Sequence, residues 1–137
     1  MLNPPRWMPL TLKLAALYNL GYALVLALWP QQVFHGLQMP ATPTPIIQCI
    51  GMMVGIYALA YWIAAQDLLR YWPLVVVGLL GKTLGPLGFF HGALTGVFAW
   101  HSIWFVAFSD LIWWLPFWVM SLYGWRHRQD WPMRTAQ

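Results

Sequence analysis

The sequence predicts an all-α integral membrane four-helix bundle. Of 137 residues, 61% are hydrophobic and only 7% charged, against about 25% charged in an ordinary soluble domain. Four apolar segments are each long enough to cross a bilayer, which takes roughly 20 residues. The period-two alternation of a membrane β-barrel is absent. One bundle accounts for the chain, and no separate soluble domain is expected.

The spans fall at 10–29, 46–65, 73–95 and 103–123. The apolar run of the first is longer than the h-region of a cleavable signal peptide, and no small-residue cleavage site follows, so it reads as a retained span. Between the first two spans, Pro30, Pro40, Pro43 and Pro45 argue against a long helix. Residues 31–38 suit a short interfacial turn. The segment 97–102 is so short that the third and fourth spans must be antiparallel neighbours. The tail 124–137, GWRHRQDWPMRTAQ, is polar and expected to fray.

Arg6, Lys13, Arg70, Arg126, Arg128 and Arg134 all fall on one side of this arrangement, with Arg70 between the second and third spans. The opposite loops, 30–45 and 97–102, carry no Lys or Arg. The positive-inside rule then puts both termini, and the tail, in the cytoplasm. The net charge of +4 reads as a topology signal beside anionic membrane lipid, not as nucleic-acid binding. Trp7, Trp29, Tyr71, Trp72, Trp100 and Trp125 lie near the interfaces, where amphipathic rings settle.

In the third span, Gly81, Gly85, Gly88, Gly92 and Gly96 form one stripe, and the second span offers Gly51 and Gly55. Such stripes let another backbone approach closely, so they are expected as packing seams. Pro86 and Pro116 should kink the third and fourth spans. A kink beside Lys82 would bare carbonyls for a polar ligand or water.

Each span carries one polar residue suited to the interior: Asn19, Gln48, Lys82 and Asp110. Lys82 lies roughly 13 Å into its span at 1.5 Å per residue. Asp110 enters from the other side, and the two depths differ by roughly 5–7 Å across a core of about 30 Å. An extended lysine covers that gap, and Asn19 falls near the midplane. Two readings follow. Lys82 and Asp110 form a structural pair locking two helices, or they form a polar site for a headgroup, proton or substrate. Trp113, Trp114 and Phe117 share the helical face of Asp110, as either a cradle for a cation or plain packing.

His35, His91 and His101 lie towards the non-cytoplasmic side. Imidazole suits copper or haem, but the three are scattered without ligand spacing, and His91 is out of phase with Lys82, so no metal site is expected. Cys49 is the only cysteine, which excludes an intrachain disulfide or a CxxC site. It is expected to be a small, buried, inert residue. GLLGKTLG misses the spacing of a phosphate loop, and no strand precedes it. No Ser/His/Asp order and no paired carboxylates are present.

The blocks AALYNLGYAL, IQCIGMMVGIYALAY, WPLVVVGLLGKTLGPLGFF and DLIWWLPF resemble those of a family of small four-span bacterial membrane proteins. The resemblance covers 14–122 and is most specific at 82–86 and 110–117. Members are often labelled alkyl hydroperoxide reductase. A thiol peroxidase needs an accessible, activated thiolate, which a buried Cys49 would not supply. The family pattern has Asn before the aspartate, where this chain has Ser109, and His91 is particular to this chain. The architecture is also similar to that of DoxX-like proteins, a likeness of fold alone.

The first functional expectation is a non-catalytic membrane protein that binds a lipid-like molecule or serves as an integral subunit of a larger complex. Partners would be lipid, another membrane protein or a second copy. A membrane enzyme acting on a lipid or isoprenoid-like substrate would use Asp110 as acid/base and Lys82 as its electrostatic partner. A proton-coupled transporter of small solutes would need to dimerise, since four spans are few.

Overall fold

The computed structural model describes residues 3–130; Arg134 and the remaining tail lie outside the described residues. Four helices are long and apolar enough to cross a membrane: α1 (Trp7–Leu28), α3 (Thr44–Ala64), α4 (Leu68–Leu94) and α5 (Trp100–His127). A short α2 (Pro30–Gly36) joins α1 to α3. No strand occurs among the described residues.

Local chemistry fixes the boundaries. Proline stands in the first turn of both α2 and α3, where its missing N–H would be unpaired in any case. The interfacial turn expected at 31–38 is the seven-residue α2. It ends at Gly36, and two residues on Gln38 turns the chain away with a φ of 50°. The helix α4 begins earlier than the expected residue 73, because Asp67 caps it by accepting the backbone N–H of Arg70 at 3.2 Å. Arg70 therefore belongs to the first turn of α4, not to a loop. The turn is kinked at Tyr71, just before Pro73. After α4, Gly96 turns the chain with a φ of 76°, which only glycine adopts freely.

The last span is irregular. It opens with a 3₁₀ turn, Trp100–Ser102, and contains a π-helical turn, Ala107–Leu111. There the N–H of Ile112 reaches the carbonyl of Ala107, five residues back. Such bulges insert one extra residue into a helix and recur at functional sites.

The helices pack mainly as two pairs, α1 with α3 and α4 with α5, and α3 joins the pairs by lying against α4. Rings fill the space between α1 and α5: Tyr18 and Trp113 are 5.9 Å apart, and Tyr22 and Phe105 5.3 Å. At one end, Lys13 approaches the Trp62 ring at 6.0 Å, and Trp72 meets Trp125 at 5.6 Å. Arg6, Lys13, Arg70, Arg126 and Arg128 all belong to this end. At the other, Ser102 donates to the carbonyl of Leu37.

The inside of the bundle is not greasier than the outside. In α1, Leu10, Leu14, Leu17, Leu20, Leu24 and Leu28 face outwards, while Ala15, Ala16 and Asn19 are buried. Lipid tails are as apolar as leucine, so burying leucine gains little and small residues suit the helix contacts.

The glycines differ from the expected seam. Gly51 does bring backbones together, since a Cβ there would lie 3.2 Å from the Ala23 carbonyl oxygen. The α4 glycines instead make room for side chains. A Cβ would meet the Tyr57 ring at Gly81, Asp110 at Gly85 and the Phe98 ring at Gly92. Gly88 faces open space, and Gly96 lies beyond the helix. Gly78, outside the expected stripe, is also tight against the core: a Cβ there would be 2.5 Å from Tyr61. Tyr61 and Phe117 pack edge to face at 4.8 Å and are sealed from the surface.

Candidate functional site

The middles of all four spans meet around one half-open cavity of about 150 Å³, whose lining includes several polar side chains. Asn19 of α1, Val54, Tyr57 and Tyr61 of α3, Gly81 and Lys82 of α4, and Asp110 of α5 line it. Positions 54, 57 and 61 share a helical face, as their spacing of three and four residues requires.

Lys82 Nζ lies 3.2 Å from Asp110 Oδ1. It also donates to the Ser109 carbonyl at 2.5 Å. Ser109 Oγ donates to the other carboxylate oxygen, Oδ2, at 3.3 Å. The pair is thus held from both sides, and Lys82 is only 6% exposed. An ammonium has three donors, and two are used here, leaving one N–H for the cavity. Pro86 supplies no N–H to the Lys82 carbonyl one turn back.

Ser109 stands in the π turn. With Ile112 bonded to Ala107, the Phe108 carbonyl loses the donor that an α-helix would give it. The Phe108 carbonyl accepts Trp113 Nε1–H at 3.2 Å, and the Ser109 carbonyl accepts Lys82. Irregular backbone at this depth needs such protein partners.

Asn19 is the unusual member. Its side chain is 5% exposed and lines the cavity. No buried side-chain N or O atom among the described residues is without a partner, so the Asn19 amide is open to the cavity rather than sealed, and it can reach a polar group placed there. Asp110 stands close enough to Tyr18, Tyr22 and Tyr61 to interact electrostatically with each.

Of the residues expected at the site, Lys82, Asp110 and Asn19 come together, and three do not. Gln48 sits near the far end of α3, donating to the Ala27 carbonyl at 3.2 Å. Trp113 leans on Tyr18 and bonds to Phe108, while Trp114 donates to Thr83 Oγ1 at 3.0 Å. Neither tryptophan lines the cavity, because the extra residue of the π turn disturbs the helical phase counted from Asp110. Phe117 packs on Tyr61. The aromatic walls are the tyrosines 57 and 61, whose spacing from Val54 was the signal available for them.

His35, His91 and His101 are all exposed. No group of three or more His, Cys, Asp or Glu side chains converges among the described residues. Cys49 is exposed, not buried. It shares an outward face of α3 with Ile46, Ile50 and Met53, where lipid accepts a small apolar thiol as readily as a core would.

The fold and the site define a four-helix membrane bundle with a polar cavity at mid-depth. No family model, no curated protein and no solved structure matches the chain.

Proposed function

We propose that this is a multi-pass protein of the bacterial inner membrane, both termini cytoplasmic, that binds the polar group of a lipid-like molecule in the mid-membrane cavity. The observation that carries the reading is the convergence of Asn19, from one span, on a cavity that also takes in the held Lys82–Asp110 pair of two others. Intramembrane ionisable residues commonly mark ligand or ion sites. The gathering of Arg6, Lys13, Arg70, Arg126 and Arg128 at one end supports the orientation.

Native mass spectrometry after mild detergent extraction tests the reading. Wild-type protein should retain a small molecule of lipid-like mass, and Asn19→Leu should lose it while staying folded. The same bound species in both proteins would contradict the proposal.

A further inference from the structure

We propose that the ligand reaches the cavity sideways from the bilayer, through the groove between α3 and α4, and that it is a neutral single-chain amphipath with a hydroxyl head. The inference rests on the reading that the cavity takes a polar group.

The groove is open to the outside, has a volume of about 320 Å³, and is lined by Met53, Ile56, Tyr57, Ala60, Leu74 and Val77. Met53, Ile56 and Val77 are exposed on the outside of the bundle, so the groove opens to acyl chains. Tyr57 lines both the groove and the polar cavity, and is thus their common wall. A second groove of about 220 Å³, between α1 and α3, shares no residue with the cavity. That difference selects the α3–α4 groove. The cavity alone is smaller than most ligand pockets, but with the groove it reaches the usual range of about 300–1,000 Å³. Head in the cavity and chain in the groove is the arrangement that uses both.

The head chemistry follows from the charges. Lys82 and Asp110 already offset each other. An ionised head would add an unmatched charge at the depth where it is least tolerated. A hydroxyl accepts from the remaining Lys82 N–H or from the Asn19 amide, and donates to a free lone pair of the Asp110 carboxylate.

The test uses the full chain in lipid nanodiscs and a photoreactive long-chain alcohol with a diazirine at mid-chain, adducts being mapped by peptide mass spectrometry. Adducts should fall on Met53, Ile56 and Val77. They should drop at least tenfold in folded Asn19→Leu, and in Val77→Trp, a change on the outward face that fills the groove. Excess hexadecanol should compete, and excess palmitate at pH 8 should not. Adducts on Leu17, Leu59 and Trp62 that still depend on Asn19 would overturn the α3–α4 path and leave the cavity reading standing. Adducts in either groove that ignore Asn19→Leu would overturn both. Equal competition by palmitate would overturn the neutral head.

Discussion

Gly85 and Asp110 occupy each other's space. The carboxylate sits where a side chain at position 85 would begin, with Oδ2 2.8 Å from an ideal Cβ. The glycine therefore shapes the polar site directly. Gly85→Ala should push the carboxylate off Lys82 and cost roughly 1–3 kcal/mol, as overpacking does. Gly88→Ala meets nothing within 4 Å and should be neutral, or gain about 0.5–1 kcal/mol from the lower entropy cost of alanine in a helix. Thermal unfolding in detergent compares them, and equal melting temperatures would refute the cradle.

The charged pair makes a second, sharper test. Lys82→Met strands the carboxylate and Asp110→Leu strands the ammonium, each at about 3–5 kcal/mol. The double variant should be more stable than either single one. It should still fall short of wild type by roughly 1–3 kcal/mol, because the Ser109 carbonyl loses its Lys82 donor. A double variant no more stable than the singles would mean that the charges do not depend on each other.

The π turn is held in part by Trp113, whose Nε1–H satisfies the Phe108 carbonyl. Trp113→Phe keeps most of the ring and removes the donor, and should cost about 0.5–1.5 kcal/mol. Trp118→Phe, on the exposed face of α5, should leave the melting temperature unchanged. Similar losses in both would mean that the indole donor is not what matters at position 113.

Topology is testable in intact cells on a Cys49→Ala background, needed because the native thiol is exposed. Thr42→Cys, in the α2–α3 loop, should react with an impermeant reagent. Gln66→Cys, in the turn before α4, should react only after permeabilisation. The reverse pattern would invert the assigned orientation.

The spans were legible because length and apolarity leave few alternatives, and the Lys82–Asp110 pair because depth can be counted along a helix. Facing was harder to read. In lipid, Cys49 suits the outside as well as the inside, so composition carries no signal for its exposure. The glycine stripe of α4 looks the same whether it meets a backbone or, as at Gly85 and Gly92, a side chain. By ideal helical phase Trp113 and Trp114 share the face of Asp110, as a cradle or as plain packing, and the π turn disturbs that phase. Its sequence, AFSDL, carries no residue that announces a bulge. Gln48 was expected at the site because it is polar, but its partner is a carbonyl of α1 close to it in space and distant in sequence.

The central claim is that the cavity between Asn19, Lys82 and Asp110 holds a polar group that the chain itself does not provide. An experimental structure in lipid nanodiscs at a resolution that separates water from ligand tests this most directly. The expected result is elongated non-protein density with one end within hydrogen-bonding distance of the Asn19 amide and its chain leaving past Tyr57. A cavity closed by Asn19 turning to a protein partner, or holding isolated waters alone, would contradict the claim.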